Sequence, residues 1–293
     1  MSLRSAGYGL AAMAVTISLI GSAAPAQAAE NTSPPNYVAL GDSYAAGSGV
    51  LPFAFSAPLL CLRSAKNYPR VIADATDAKL TDVTCGGAET RHFETSQYPG
   101  VAPQLDAVTE DTDLVTVTIG GNDSSVFAGA VLACGAAGVL SGGEGSPCRT
   151  TWGDHFDRLI EEKTYPAVRT ALRKVKEKAP NARVVVVGYP WLLPAKADRS
   201  CFAKMPIAEG DVPYLRGMQG HMNEILERAA NETGTAYADM ADASDGHDAC
   251  QPRGTRWVEP VFFFDQLNPV HPNALGEEKM ADQAMRALPV THR

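Results

Sequence analysis

Three short strand-like runs end directly at glycine-containing turns. A residue able to take part in chemistry follows each run: Ser43 after 37–40, Gly87 after 79–84 and Asn122 after 114–119. The carboxyl ends of parallel strands meet at one edge of an α/β sheet, where such sheets place their ligands. Three turns of this kind predict one convergent site. The local alternative at the first turn is a plain helix start, with Asp42 or Ser43 as its N-cap.

The rest of the chain alternates strands with helices. Strands are predicted at 183–187 and 235–238, and helices at 68–78, 154–179, 211–233 and 272–288, with Pro166 kinking or dividing the second of these. This alternation favours a mainly parallel sheet covered by helices on both faces. No second core is evident. We therefore expect residues 37–293 to form a single domain.

The N-terminus is typical of an export signal. Arg4 precedes an apolar run over 8–20, and small residues lead to Ala26-Gln27-Ala28, an A-x-A cleavage site. The run is short for a membrane span, and no other stretch suggests one, although an uncleaved anchor is the alternative. We predict a signal peptide over 1–28, cleavage after Ala28, a polar linker over 29–36 and a secreted protein.

Charge and cysteine content limit the partners. The formal net charge is -8 and no basic patch is evident, so nucleic-acid binding is not expected. Six cysteines in an exported chain predict three disulfides, for which fifteen pairings exist. The neighbour-to-neighbour pairing is the simplest of these: Cys61–Cys85, Cys134–Cys148 and Cys201–Cys250. No cysteine pattern suits a metal, and we expect no cofactor.

A serine nucleophile requires a base and an oxyanion hole. His271 is the favoured base among the six histidines because Pro269 and Pro272 fix its loop at the start of the last helix. The others are His92, His155, His221, His247 and His292. The backbone N–H groups of Ser43 and Gly87 and the side-chain amide of Asn122 are the expected oxyanion donors.

Four ordered blocks of the chain resemble those of the SGNH (GDSL-type) hydrolases: Gly41-Asp42-Ser43-Tyr44, Gly87, Gly121-Asn122-Asp123 and His271-Pro272. With the leader and cysteines, the chain looks most like the secreted actinobacterial lipases, esterases and phospholipases. The resemblance implies a flavodoxin-like, three-layer α/β/α fold with strand order 2-1-3-4-5, neighbour-to-neighbour disulfides and metal-free ester hydrolysis through an acyl-enzyme on Ser43. Gly87, directly before Ala88, matches the family glycine better than Gly86.

One position departs from the family pattern. The family usually carries aspartate three residues before the histidine, where this chain has Asn268. The backbone carbonyl of Asn268 is the favoured partner for His271, by resemblance to Ser–His dyads. The side chain of Asp265 is the alternative.

The sequence indicates the substrate less closely than it indicates the catalytic residues. The apolar loop 50–62 is interpreted either as one wall of an acyl- or aryl-binding pocket or as packing beneath the first disulfide. With Trp257 and Phe262–Phe264, it favours lipid, phospholipid or small acyl or aryl esters over a bare sugar. We expect a monomer. A serine peptidase and a catalytically impaired acyl-binding protein of the same fold are the alternative functions.

Overall fold

The computed structural model describes residues 33–288 and the isolated Ser2. Backbone contacts divide the chain into residues 1–33 and 34–293, and the strands and helices of the described residues lie in the second unit. The predicted signal peptide apart from Ser2, the first half of the predicted linker and His292 lie outside the described residues.

The centre of the fold is a five-stranded sheet in the order β2-β1-β3-β4-β5. All four strand pairs are parallel, as the family resemblance implies. The strands are β1 (Asn36–Gly41), β2 (Lys79–Asp82), β3 (Leu114–Thr118), β4 (Arg183–Val187) and β5 (Ala236–Ala238). β1 lies between β2 and β3, so the turn after β1 is beside the turns that follow both neighbours.

Helices cover both faces of this sheet. Every residue of β3 is buried, and successive strand residues point to opposite faces, so both faces must be covered. α2 packs against α9, and α6 packs against α7. The helices are α1 (Ser43–Ala46), α2 (Tyr68–Thr76), α3 (Val126–Leu140), α4 (Pro147–Trp152), α5 (His155–Leu159), α6 (Tyr165–Lys178), α7 (Val212–Thr233), α8 (Met240–Ala243) and α9 (Ala274–Ala287).

Two helix boundaries refine the sequence predictions. A single π-helical segment, Ile160–Thr164, separates α5 from α6, and Pro166 is the second residue of α6. Pro166 therefore marks a boundary between helical segments, one of its two predicted roles. The prediction that Pro272 begins the last helix was wrong, because Asn273 caps α9 by accepting the N–H of Gly276.

The sequence patterns did not predict α3. Residues 135–146 are rich in glycine, alanine and serine, a composition that favours an irregular loop, but the first part of that segment is helical. Small and apolar residues occur all around α3, so it lacks the amphipathic period that identifies a surface helix. Among the described residues, one helical stretch, Asp123–Leu140, is long and apolar enough to span a membrane, a test that core helices also pass. This stretch is bonded to the domain through Cys134.

The three disulfides join the neighbouring cysteines. Cys61 is bonded to Cys85, Cys134 to Cys148 and Cys201 to Cys250. All six cysteines lie outside the strands, so the bridges fasten loops and helices around the sheet. The first bridge has the most direct bearing on the site, because Cys85 immediately precedes the Gly86-Gly87 turn.

Candidate active site

Ser43 is the first residue of α1, directly beyond the end of β1. The preceding residue, Asp42, caps α1: its Oδ1 accepts the N–H of Tyr44 at 2.9 Å. Gly41 has a φ of +141°, and a Cβ there would lie 2.4 Å from the carbonyl oxygen of Thr118 on β3. A glycine is therefore required for the chain to turn this close to β3 and place Ser43 at the sheet edge.

His271 meets Ser43 from the loop before α9. Its Nε2 lies 2.8 Å from Ser43 Oγ, and its Nδ1 lies 2.7 Å from the backbone oxygen of Pro269. A carbonyl oxygen can only accept, so Nδ1 must carry the proton in the neutral ring. Nε2 is then free to accept the hydroxyl proton of Ser43. The two predicted catalytic residues are thus brought together in the tautomer that a general base requires.

The expected partners of His271 Nδ1 were both wrong. The carbonyl of Asn268 instead accepts a hydrogen bond from Gln266 Nε2 at 3.0 Å. Asp265 is paired with Arg256 at 2.7 Å and with Arg253 at 2.5 Å. The preference for a backbone carbonyl was sound, but the carbonyl belongs to Pro269, one residue later.

The backbone around Val270 explains this shift of one residue. Val270 has a φ of +61°, which is rare for a β-branched residue and makes a tight turn between Pro269 and His271. Tyr44 Oη donates to the Val270 carbonyl at 2.7 Å, and Val270 N–H donates to the Glu259 carbonyl at 2.9 Å. Glu259 N–H in turn donates to the His271 carbonyl at 2.9 Å. These bonds hold a turn whose conformation no residue pattern indicated.

Burial sets the charge state of His271. Removal of the ring from water lowers the pKa of His271 below its ordinary value, and the hydrogen bond to Pro269 opposes this effect. No carboxylate hydrogen-bonds to the ring among residues 33–288, so no anionic partner restores the pKa. The imidazole is therefore neutral near pH 7, as a general base must be.

A buried hydrogen-bond chain lies beneath the Ser43 turn. Tyr189 Oη, just past β4, donates to Asp42 Oδ2 at 2.6 Å and accepts the N–H of Gly121 at 2.9 Å. Burial raises the pKa of Asp42 to about 7, although the hydrogen bonds from Tyr189 and Tyr44 act in the opposite direction. Tyr189 thus joins the turn that carries Ser43 to the turn that carries Asn122. It belongs to none of the four sequence blocks, and no motif pointed to it.

The predicted oxyanion donors occupy the neighbouring turns. Asn122 Nδ2 donates one hydrogen to the carbonyl of Ala88 at 3.0 Å, which leaves its second amide hydrogen for a ligand. The N–H of Gly86 is used by the carbonyl of Cys61 at 2.8 Å. Among the described residues, the N–H groups of Gly87 and Ser43 have no hydrogen-bond acceptor. Gly87 has a φ of +75° and is exposed.

The Asn122 turn is tied to the chain that follows Gly87. Asp123 is buried, and its carboxylate accepts both the N–H and the hydroxyl of Thr90 at 2.8 Å. Burial raises the pKa of Asp123 to about 6, and the two bonds from Thr90 oppose this. The Gly87 and Asn122 turns are therefore fixed relative to each other by side chains as well as by the sheet.

A cavity of about 240 Å³ opens beside Ser43 and His271. Its apolar wall comes largely from α3 and from the aromatic rings around the pair, and Asn122 contributes at its polar end. The apolar or aromatic lining residues are Tyr44, Phe127, Val131, Leu132, Tyr189 and Val270. Of the two interpretations of residues 50–62, the pocket wall was wrong, as none of them lines this cavity. Trp257 is buried against His247 instead.

The sequence of the chain matches a known family model over residues 39–279, under the description GDSL-like Lipase/Acylhydrolase family. This match spans the Ser43 turn, the Gly87 and Asn122 turns and the His271 loop. The chain belongs to this family. The predicted enzyme class, a carboxylic ester hydrolase, is thereby confirmed.

Streptomyces proteins are similar over nearly the whole chain. Lipase 2 of Streptomyces coelicolor is 62% identical over 266 residues, which cover 91% of this chain and 89% of that protein. The crystal structure of a phospholipase A1 from Streptomyces albidoflavus NA297 matches with a TM-score of 0.72 and 27% identity, over 88% of this chain and 100% of that one. The extracellular lipase of Streptomyces rimosus matches with a TM-score of 0.71 and 27% identity, over 87% and 100%.

A second cavity, of about 370 Å³, does not suit the family's chemistry. It contains neither Ser43 nor His271, and it is lined by two cations and two carboxylates that neutralise one another: Arg253, Arg256, Glu259 and Asp265. Asp265 N–H also donates to Glu259 Oε2 at 3.0 Å. These bonds direct the Asp265 carboxylate toward arginine, which explains why it does not serve His271.

Proposed function

We propose that the protein is a secreted serine esterase that cleaves lipid or other acyl esters through an acyl-enzyme on Ser43. The observation that carries the proposal is the distance of 2.8 Å between Ser43 Oγ and His271 Nε2, with Nδ1 held on the Pro269 carbonyl. This arrangement aligns a nucleophile, a base and a group that orients the base.

In the acylation step, Ser43 Oγ attacks the ester carbonyl carbon while its proton passes to His271 Nε2. The resulting imidazolium keeps its Nδ1 hydrogen bond to the Pro269 carbonyl, whose dipole takes the part that a carboxylate plays in a complete triad. When the tetrahedral intermediate collapses, Nε2 returns the proton to the leaving alcohol. In deacylation, His271 Nε2 takes a proton from a water molecule whose oxygen attacks the acyl carbon. The bond to Ser43 Oγ then breaks, Nε2 returns the proton to Oγ, and the carboxylic acid leaves.

The negative charge of the intermediate is assigned to three donors: the N–H groups of Ser43 and Gly87 and the side-chain amide of Asn122. Gly87 is favoured over Gly86 because the N–H of Gly86 already donates to the Cys61 carbonyl, whereas the N–H of Gly87 has no acceptor among the described residues. Such donors act strongly because they are oriented before the charge develops.

The acyl group is assigned to the cavity lined by α3. Phe127, Val131 and Leu132 present hydrocarbon there, and the apolar lining suits an acyl chain better than a sugar. The names of the relatives, lipase and phospholipase A1, favour lipid esters among the possible substrates.

The central test uses Ser43→Ala with a chain-length series of p-nitrophenyl esters. We expect kcat to fall by about 10⁴-fold or more for every ester, because the nucleophile is absent. Ser56→Ala, at an exposed serine of the 50–62 loop, is the matched control and should retain wild-type kcat. An organophosphate should label Ser43 in the wild type and in the control. Substantial hydrolysis by Ser43→Ala would refute the mechanism.

Export is tested separately, by mass spectrometry of protein from the culture medium of an expressing actinobacterium. The expected N-terminus is Ala29, because cleavage is predicted after Ala28. An intact N-terminus on the secreted protein would contradict the signal peptide assignment.

A further inference from the structure

Two loops, one shortly after Ser43 and one shortly before His271 in the sequence, expose large apolar side chains. The first, residues 51–62, follows Ser43, and the second, residues 262–267, precedes His271. Phe55 is fully exposed, and Leu59 and Phe263 are exposed by 76% and 69%. We call this set the apolar rim: Phe55, Leu59, Leu60, Phe262, Phe263 and Leu267.

The two loops adjoin at the edge of the sheet that carries the site. Leu267 N–H donates to the carbonyl of Gly49 at 3.2 Å, and a Cβ on Gly49 would lie 2.8 Å from the Cβ of Asn268. The Cys61–Cys85 bridge holds the first loop to the end of β2. Val270, three residues after Leu267, lines the cavity beside Ser43.

The first loop is held firmly despite its exposure. Ala54 N–H donates to the Arg63 carbonyl at 2.8 Å, and Ala65 N–H donates to the Pro52 carbonyl at 2.8 Å. These bonds and the Cys61 bridge fix both ends of the loop. The exposed side chains are therefore presented by an ordered backbone.

Buried charges hold the second loop. Arg256, only 3% exposed, donates to the carbonyl of Phe263 at 3.3 Å and pairs with Glu259 and Asp265. Phe262 N–H donates to the Lys204 carbonyl at 3.0 Å. Exposed apolar groups cost solvation free energy, and large patches of them mark interaction sites. An ordered loop that exposes phenylalanine side chains therefore points to a binding surface.

Charge selects the kind of partner. Asp265 is the only charged residue in loops 51–62 and 262–267, although 20% of the chain is charged, and it is paired with Arg253 and Arg256. The net charge of the chain is -8. Protein–protein interfaces carry a polar rim and many hydrogen bonds, whereas Ser56 and Gln266 are the only hydroxyl or amide side chains in these two loops. The Gln266 Nε2 already donates to backbone carbonyls that include that of Asn268. An anionic surface would be repelled by the net charge. The complementary partner is apolar and uncharged.

We propose that the apolar rim docks the enzyme onto an electrically neutral lipid surface and so places the Ser43 cavity against its ester substrate. The inference rests on the proposed esterase function, because docking serves ester hydrolysis. Vesicle binding, however, can be measured without catalysis. Leu132 is 74% exposed and belongs to the cavity lining, so exposed apolar surface also occurs at the site itself. Burial of these side chains in the lipid interface supplies the affinity.

The test measures flotation with phosphatidylcholine vesicles in the Ser43→Ala background, where hydrolysis does not disturb the membrane. The variant carries Phe55→Ser, Phe262→Ser and Phe263→Ser, and its partition coefficient should fall by about tenfold or more. Leu140→Ser is the matched control, because Leu140 is 89% exposed, lies on α3 and is outside the rim. It should bind vesicles as the parent does.

Further measurements separate docking from folding and from catalysis. With Ser43 intact, the triple variant should hydrolyse a water-soluble short-chain ester within about twofold of wild type while losing activity on vesicles, and its circular dichroism should be unchanged. Unaltered partition of the triple variant, an equal loss in Leu140→Ser or absence of vesicle binding by the parent would overturn the inference. Tighter binding to anionic than to phosphatidylcholine vesicles would also overturn it. Failure of the esterase mechanism would appear instead as activity in Ser43→Ala.

Discussion

The two members of the catalytic pair are held by different kinds of group. Buried side chains hold the Ser43 turn: the carboxylate of Asp42, the hydroxyl of Tyr189 and, beyond them, Asp123 with Thr90. Main-chain carbonyls hold His271, with the Pro269 oxygen on its ring and the Val270 oxygen on Tyr44. Substitution of the side chains around the Ser43 turn should therefore lower kcat far more than substitution of the carboxylates near His271.

Asn122→Ala should produce the largest effect among the variants that test this contrast. It removes a proposed oxyanion donor and also the bond to the Ala88 carbonyl, so kcat should fall by about 10²- to 10³-fold with little change in KM. Steady-state kinetics on a soluble ester would measure this. A change confined to KM would show that Asn122 binds the substrate without stabilising the transition state.

Tyr189→Phe should lower kcat by about tenfold and the free energy of unfolding by about 1–3 kcal/mol, because Asp42 Oδ2 and Gly121 N–H lose their partner. Tyr237→Phe is the matched control, since that hydroxyl is buried with no hydrogen-bond partner among the described residues. It should leave kcat unchanged. Equal kinetic effects in the two variants would remove the special role of Tyr189.

The pH dependence of kcat/KM reports on the histidine half. His271 must be neutral to act as a base, and burial lowers its pKa, so activity should fall with decreasing pH only below about 6.5. A midpoint above about 7 would indicate an anionic partner for the ring.

Two buried carboxylates complicate the acidic limb of this profile. Burial raises the pKa of Asp42 to about 7 and that of Asp123 to about 6. The Asp42→Asn and Asp123→Asn profiles serve as controls. If the fall in kcat/KM at acidic pH persists in both variants, it is due to protonation of His271.

Asp265→Asn should have the smallest effect, with kcat changed by less than about threefold. The carboxylate faces Arg253 and Arg256 and not the imidazole, and Arg256 keeps its pair with Glu259. Where a carboxylate does orient the catalytic histidine, the same substitution costs about 10⁴-fold. A loss approaching that size, with the fold intact, would restore Asp265 as the orienting acid.

The parts of the fold with a strong local signal could be predicted. β3 and β4 are short runs rich in valine, and each ends near a glycine that identifies the sheet edge. α3 could not be predicted in this way, because a helix that is apolar on all sides has no period to detect. The exposure of the 50–62 loop was also missed, since apolar composition alone does not distinguish a pocket wall from a surface.

The site itself was predictable as far as its motif residues. Ser43 and His271 face each other as expected, because motif and topology place both at one edge. The Pro269 carbonyl depends on the left-handed turn at Val270, and valine gives no sign of such a turn. Tyr189 contributes through the end of β4, far from the motif residues in sequence. Backbone conformation and long-range packing, which single-sequence patterns do not encode, account for both omissions.

The close approach of Gly41 to β3 has a consequence for how the family motif is interpreted. Any side chain at position 41 would clash with the Thr118 carbonyl, whatever the protein catalyses. In a library randomised over 41–43 and selected only for folded protein, glycine at 41 should persist while serine at 43 drifts. Selection for ester hydrolysis should retain both. The first residue of the motif is therefore evidence of ancestry and fold, and only the third is evidence of activity.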